Sequence, residues 1–276
     1  MDTRKIFNKL KVKFLKFWRS DDTKISLLRD VFIALLLVLI ILTALWTYTG
    51  QWFGAPMVAI ESGSMMHENE PFGRIGTIDA GDMVFLVKTN GRGDIVTNAA
   101  RDPDNYHYGM YGDVIVYRPY GDTNEDQIIH RAMKWVEYNE EFGTYTVEGD
   151  DDNVDVTSIT ISEYGLYNYI PQTAHSGFIT KGDNPNTNKE CDQVSREICL
   201  DLIRPEWISG KARGELPWIG TLNLLFNDII GGKNTVGNVP SDSLICLVLL
   251  IIVLISIPIS LDLYSYYKEK KKDQDF

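Results

Sequence analysis

Two long apolar runs, one near each end of the chain, dominate the hydrophobic pattern. Residues 31–46 carry no charge, and residues 244–261 carry none either, although Pro258 interrupts the second run. Extended to residue 49, the first run has about the 20 residues that a helix needs to cross a bilayer, and membrane helices tolerate proline. We therefore predict transmembrane helices over residues 30–49 and 240–263. A cleaved signal peptide is disfavoured, because no small-x-small site directly follows the first run.

Residues 50–239 show a different pattern, in which apolar runs of four or five residues alternate with turn residues. Gly-Asp pairs recur between these runs, and such pairs favour tight turns. The pattern predicts strands at residues 57–60, 83–87, 114–117, 144–147 and 177–180. Polar stretches predict loops or insertions at residues 88–111, 121–127, 149–158 and 184–197. The expected fold class is mostly β, with one large domain between two transmembrane helices.

Charge is strongly segregated along the chain, whose net charge is −11. Residues 1–29 hold nine Lys/Arg against three Asp, whereas residues 50–239 hold fourteen Lys/Arg against twenty-nine Asp/Glu. The acidic domain would repel phosphate, so no nucleic-acid partner is expected. Because Lys/Arg favour the cytoplasmic side, the basic segment 1–29 and the basic tail 264–276 are both expected there. The domain at 50–239 is then extracytoplasmic, and the chain is a multi-pass protein of the cell membrane.

The cysteines and histidines give no sign of a metal or cofactor. The four histidines lie far apart in the sequence without a partner at ligand spacing, and no glycine-rich phosphate loop is present. We therefore expect neither a metal nor a cofactor. Cys191 and Cys199 would form a disulfide in an oxidising compartment, or would remain two free thiols, and the sequence leaves both alternatives open.

Short motifs in the acidic domain add a more specific interpretation. They are Ile60-Glu61-Ser62-Gly63-Ser64-Met65, Tyr111-Gly112-Asp113-Val114-Ile115-Val116-Tyr117, Ile128-Ile129-His130-Arg131, and Thr180-Lys181-Gly182-Asp183-Asn184 followed by Cys191-Asp192. In this order they resemble the boxes of type I signal peptidases, specifically the archaeal and endoplasmic-reticulum branch, which has His where the bacterial branch has Lys. Residues 208–214 and 216–220 resemble the strand and loop that close that family's domain.

Three departures from the family pattern accompany the resemblance. The proline usual two residues after Met65 is missing, and Pro71 comes later instead. Residues 88–111 look like an insertion between two box-like strands. The acidic box is stretched, because Asp192 follows Asp183 by nine residues.

The resemblance implies a serine peptidase site. Ser64 would be the nucleophile, at a turn that Gly63 would allow, and His130 would be its general base, because neutral imidazole can accept and return a proton near neutral pH. We favour Asp192 as the carboxylate that orients His130, with Asp183 as local support, and the reverse assignment remains open. The oxyanion would be bound by the Ser64 backbone N–H and the Ser62 hydroxyl.

Two rival bases remain open from sequence alone. Lys134 lies four residues from His130, and on a strand these two positions would share a face, so Lys134 would be the base of a Ser–Lys enzyme. His67 lies three residues after Ser64, which is close in the chain for its ring to reach back to that hydroxyl.

The expected function is removal of N-terminal signal peptides from exported preproteins at small-x-small sites. An extended substrate would add as a β-strand to the segment formed by Met57, Val58, Ala59 and Ile60. The expected partners are signal peptides, the lipid bilayer and a protein translocation channel. The alternatives are a processing protease with a narrower clientele, and a non-catalytic membrane-anchored domain that binds export partners. The combination of Ser, His and Asp favours an enzyme.

Overall fold

The computed structural model describes most of the chain, namely residues 17–18, 22–52, 54–67, 75–196, 198–232 and 234–274. The chain divides into two compact units, Met1–Gly54 and Ala55–Phe276. Most of the basic segment 1–29 lies outside the described residues. Pro71 also lies outside them.

The first unit is built around helix α1, Thr23–Thr49. It begins seven residues before the predicted transmembrane segment, because the Asp22 carboxylate accepts hydrogen bonds from the Lys24 and Ile25 backbone N–H groups and so caps the helix. It ends at Gly50, whose φ of 68° is left-handed and whose N–H donates to the Trp46 carbonyl. The helix is long and apolar enough to span a membrane.

The second unit contains a seven-stranded antiparallel sheet, two small two-stranded sheets and two further helices. The large sheet has the order β1-β2-β11-β5-β6-β10, and β7 pairs with β6. Its strands are β1 (Met57–Ala59), β2 (Met83–Val87), β5 (Val114–Tyr117), β6 (Ile128–Asn139), β7 (Thr144–Val147), β10 (Gly177–Lys181) and β11 (Ile208–Leu216). The small sheets pair β3 (Tyr106–His107) with β4 (Met110–Tyr111), and β8 (Ile159–Ile161) with β9 (Leu166–Tyr169).

Helices α2 (Gly220–Gly231) and α3 (Ser241–Gln274) follow the last strand. Like α1, α3 is long and apolar enough to span a membrane. It continues beyond the predicted end at residue 263, and Pro258 lies inside it without ending it.

The expectation of a mostly β domain and two potential membrane helices is confirmed. The five strands that the pattern predicts are present, each within one residue of its expected ends. The pattern did not predict β6, the longest strand. Residues 130–134 of β6 are all buried, so both faces are covered and no apolar–polar alternation marks the strand. Residues 88–111, expected as a loop, contain β3, β4 and three short 3₁₀ helices.

Three apolar clusters form the interior of the second unit. One surrounds Ile60 and Met65, which flank the predicted nucleophile. A second contains Ile115, Tyr117 and Cys199, and a third contains Cys191. Because Cys191 and Cys199 are buried in different clusters, both are free thiols in the structure, and the disulfide that the sequence allowed is not formed.

Candidate active site

Sheet register brings three polar side chains to one face. Tyr117 of β5 lies opposite Ile128 of β6, and His130, two residues further along β6, lies opposite Ile115. Thr180 of β10 lies opposite Ala132 of β6. Residues directly opposite each other share a face, as do residues two apart along one strand. Tyr117, His130 and Thr180 therefore point to the same side of the sheet from three adjacent strands.

These three side chains meet at the carboxylate of Asp192, which is 1% exposed. Nδ1 of His130 lies 2.8 Å from Oδ1 and 2.7 Å from Oδ2 of Asp192. The Tyr117 hydroxyl donates to Oδ2 over 2.8 Å, and the Thr180 hydroxyl donates to the same oxygen over 2.6 Å. A buried carboxylate needs such donors, because its charge has been removed from water. The geometry supports Asp192, the favoured candidate, as the residue that orients His130.

Tyr117 keeps its proton in this arrangement. Burial raises the pKa of the Tyr117 phenol well above its ordinary value, and the negative charge of Asp192 raises that pKa further. The phenol therefore acts as a hydrogen-bond donor to the carboxylate. The sequence pattern indicated no role for Tyr117 or Thr180, although both lie inside the motifs that resemble the family's boxes. The sequence feature that could have pointed to Tyr117 and Thr180 is a polar residue near the end of a mostly apolar strand.

The stretched acidic segment is held by hydrogen bonds. Asp192 begins a short 3₁₀ turn, Asp192–Val194, and the preceding Cys191 N–H donates to the Tyr164 carbonyl over 3.0 Å. The Gln193 amide accepts from the Thr180 backbone N–H over 3.1 Å, which ties the turn to β10. Burial raises the pKa of the Cys191 thiol to about 12, so the thiol stays protonated next to Asp192.

The predicted nucleophile Ser64 lies in a tight turn after β1. Ile60 and Met65 on either side are buried at 2% and 1% exposure, and these two anchors fix the turn. The Ser62 hydroxyl donates to Oγ of Ser64 over 3.2 Å. Gly63 has no positive φ, contrary to the expected reason for glycine there. A Cβ atom at Gly63 would instead lie 3.0 Å from Sδ of Met66, so the position is restricted by packing.

The loop that carries Asp183 and Asp192 also forms hydrogen bonds to the backbone at Ser64. The Asn184 N–H donates to the Ser64 carbonyl over 2.9 Å, and its side-chain amide donates to the Gly63 carbonyl over 2.7 Å. Gly182 packs so closely that an added Cβ would lie 2.6 Å from the Ser64 carbonyl oxygen. The segment that carries Asp183 and Asp192 thus holds the serine turn as well as the histidine.

Asp183 has a different role from Asp192. Its carboxylate accepts from Nε of Arg131 over 2.9 Å and lies 3.4 Å from Nε2 of His67. Burial alone would raise the pKa of Asp183, but hydrogen bonds from Arg131 and His67 and their charges hold it below its ordinary value. Arg131, fully buried, also donates to the Gly112 carbonyl over 2.7 Å. Asp183 therefore bonds to Arg131 and supports the loop away from His130. His67 pairs with Asp183.

Lys134, the other rival base, is engaged elsewhere. Its ammonium donates to the carbonyls of Glu148 and Gly149 over 3.1 and 3.3 Å and lies 3.9 Å from the Asp150 carboxylate. These three partners belong to the segment after β7, whereas Ser64 follows β1.

Ser62, Ser64 and His130 line one cavity of about 490 Å³. The cavity lies between β1 on one side and β5 with β6 on the other. Its remaining walls are formed by Val58, Ala59, Ile60, Glu61, Val116, Arg118, Asp126, Gln127, Ile128, Ile129, Asn188, Ile198 and Asn223. Three of the four residues expected to bind substrate, Val58, Ala59 and Ile60, line it, and Met57 is not among the lining residues. Val58, Ala59 and Ile60 give the cavity an apolar side, whereas polar and charged side chains form much of the remaining lining.

Within the part of the chain that the structure describes, no three His, Cys, Asp or Glu side chains converge as metal ligands would. Comparison with known proteins adds no assignment, because no family model matches the chain and no curated protein matches it significantly in sequence. The functional interpretation therefore rests on the residues and their geometry.

Proposed function

We propose that the chain is a membrane-bound serine endopeptidase that removes N-terminal signal peptides from exported preproteins. The observation that carries the proposal is the buried His130–Asp192 pair, with Nδ1 at 2.7 Å from the carboxylate, in the wall of the cavity that Ser64 also lines. A binding domain has no need of a serine, an oriented imidazole and a buried carboxylate in one place.

The proposed reaction follows from these positions. His130 uses its second ring nitrogen, Nε2, to take the proton of the Ser64 hydroxyl as Oγ attacks the scissile carbonyl. Asp192 holds Nδ1–H, fixes the ring orientation and stabilises the imidazolium. The proton then passes to the leaving amine, and water, activated by the same imidazole, hydrolyses the acyl-enzyme.

The oxyanion of the tetrahedral intermediate would accept hydrogen bonds from the Ser64 N–H and the Ser62 hydroxyl. The 3.2 Å between the two serine oxygens supports this, because a group so close to the nucleophile is also close to the carbonyl under attack. Loss of one such donor commonly costs about 3–4 kcal/mol of transition-state stabilisation.

Substrate and location are part of the proposal. A signal peptide would add as a strand to β1, which lies at one end of the large sheet, and its small side chains would face Val58, Ala59 and Ile60. Membrane-spanning α1 and α3, with both termini cytoplasmic, would hold the cavity on the extracytoplasmic side. Tethering there raises the effective concentration of membrane-bound precursors, including any that leave a translocation channel.

The test is cleavage of a model precursor by the purified full-length protein in detergent. Ser64→Ala should lower kcat by roughly five to six orders of magnitude, because the nucleophile is lost. The control is Ser162→Ala, at an exposed serine in the turn between β8 and β9, which should cleave at the wild-type rate. Substantial cleavage by purified Ser64→Ala protein would contradict the proposal, as would equal cleavage of precursors with alanine and with tryptophan before the scissile bond.

A further inference from the structure

Helix α2 turns an apolar face to solvent. Five of its large side chains are between 47% and 75% exposed, namely Leu222, Leu225, Phe226, Ile229 and Ile230. At about 100° per residue, these positions fall within one sector of the helix roughly 140° wide. Leu224, which is buried, lies almost opposite this sector, and Thr221, also buried, lies about 40° outside one edge of it. The helix therefore has one face packed on the domain and a second apolar face that the described part of the domain leaves exposed.

Water is a poor environment for this face. Soluble proteins rarely expose a contiguous apolar patch larger than a few hundred Å² without a binding role. The only charged residue of α2, Asp228, accepts hydrogen bonds from the Thr235 and Val236 N–H groups over 3.0 and 2.9 Å. No other charged side chain is available within α2 to make the exposed surface polar.

The position of α2 indicates what covers the face. Its first turn is attached to the turn before β2, where the Thr221 N–H donates to the Gly81 carbonyl over 2.8 Å. The segment just before α3 packs against the same turn. Its buried Val239 side chain is so close to Gly81 that a Cβ atom added there would lie 2.9 Å from it. Helix α3 begins two residues later, at Ser241. The first turn of α2 thus lies next to the start of a helix that is apolar enough to span a bilayer.

We propose that α2 is an interfacial helix whose apolar face lies in a phospholipid bilayer, next to the point where α3 enters it. A helix of this type buries one face about 5–10 Å into the boundary between headgroups and acyl chains. The inference rests on the membrane-spanning role of α3 within the proposed function, and it does not depend on catalysis.

The arrangement connects the bilayer surface to the cavity. Asn223 of α2 lines the cavity of Ser64 and His130, and Asn227, one turn further on, donates to the Asn223 side chain over 3.0 Å. Asn223 of α2 therefore lies at the cavity, while the apolar face of the same helix would lie in lipid. Asn238, just before α3, also donates to the Glu61 carbonyl over 2.9 Å, next to the serine turn. The helix would hold the cavity at a fixed depth, close to the membrane surface.

Photocrosslinking of the full-length protein in phospholipid nanodiscs tests this inference. Benzoyl-phenylalanine replaces Phe226 in one protein, Ile252 of α3 in a second and Phe142 in a third. Phe142 is a matched aromatic control, because it is 68% exposed in the turn between β6 and β7, far along the chain from α2. After irradiation, intact mass spectrometry should find phospholipid adducts at positions 226 and 252 and none at 142.

The outcomes separate this inference from the proposed function. Adducts at 252 without adducts at 226 would overturn the interfacial helix and leave α3 as a membrane span. The absence of adducts at 252 would overturn both. Covalent dimers formed through position 226 would mean that a second copy of the chain covers the face, which also overturns the inference. Equal labelling at 142 and 226 would do the same, because α2 would then have no preferred contact with lipid. The peptidase activity is judged separately, by the Ser64→Ala comparison.

Discussion

At the scale of single residues, two acidic side chains from one loop differ in what they can do. Asp192 is bound to His130, and Asp183 is bound to Arg131. We predict that Asp192→Asn lowers kcat by about 10⁴, because an amide no longer fixes the imidazole in the required tautomer. The measurement is the cleavage rate of a model precursor, with circular dichroism to confirm that the variant is folded.

Asp183→Asn is the matched comparison. The lowered pKa of Asp183 means that its ionised form stabilises the folded state. That contribution is present above the ordinary carboxyl range and is lost as the pH falls through the lowered folded-state pKa. Asp183→Asn should therefore lower Tm at neutral pH, lose less stability on acidification than the wild type, and retain activity. If Asp192→Asn cleaves normally and Asp183→Asn is inactive, the two roles are reversed.

Tyr117, like Thr180, has a role that the sequence did not suggest. Its hydroxyl is 2.8 Å from Oδ2 of Asp192, and a hydrogen bond to a charged group contributes about 1.5–3 kcal/mol. We predict that Tyr117→Phe lowers kcat by roughly ten- to a hundredfold with little change in KM, because the carboxylate loses a donor and the imidazole is less well oriented.

A pH–rate profile distinguishes this positioning role from a purely structural one. Without the phenol, the charge of Asp192 is less compensated, and it stabilises the imidazolium more strongly. The acid limb of the profile should then move to higher pH, whereas simple loss of folded protein would lower the whole profile without moving it. A Tyr117→Phe enzyme with unchanged kcat and an unchanged profile would rule out the positioning role.

At the scale of elements, the loop that carries Asp183 and Asp192 packs so closely on the serine turn that Gly182 has no room for a side chain. The backbone of Gly182 packs against the Ser64 carbonyl, where a Cβ atom would lie at 2.6 Å, and against the Asn188 side chain, where it would lie at 2.5 Å. We predict that Gly182→Ala lowers kcat more than tenfold, because a misplacement of about 1 Å at a reacting group commonly costs 10²-fold.

The control for this substitution is Gly93→Ala. Gly93 lies in a short 3₁₀ turn, and an added Cβ would meet nothing within 4 Å. This variant should keep wild-type activity. The comparison requires the cleavage rate and the thermal unfolding curve of both variants. A Gly182→Ala enzyme as active as Gly93→Ala would show that the loop tolerates displacement of the serine turn.

At the scale of the whole molecule, the arrangement of the chain across the bilayer is a prediction that rests on charge. The basic flanks lie outside the two apolar helices, so we expect both termini in the cytoplasm and the domain outside. Ser162→Cys, at an exposed position, should react with a membrane-impermeant maleimide added to intact cells. Two native thiols, Cys191 and Cys199, are buried and give a low background. Labelling of Ser162→Cys only after the cells are opened would contradict this topology.

The sequence by itself determined the features that depend on local pattern. The apolar runs are long enough to indicate α1 and α3 without any knowledge of packing, and turn residues mark both ends of β1, β2, β5, β7 and β10. The order of the motifs, which resembles that of type I signal peptidases, pointed to Ser64 and His130 and to Asp192 or Asp183, because each stands in a short recognisable segment. Strand β6 was not visible in the pattern, since burial on both faces removes the alternation.

Only the tertiary structure decided which of these residues meet. The choice between Asp183 and Asp192 depends on their distances from His130 and Arg131, which lie more than fifty residues away in the chain. Strand register, which cannot be read from the sequence, contributes to those distances. The same register brings Tyr117 and Thr180 to the carboxylate and directs Lys134 elsewhere. Cys191 and Cys199, eight positions apart, are separated because they pack into different clusters. Local pattern determines the elements and their chemistry, whereas long-range packing determines which side chains are neighbours.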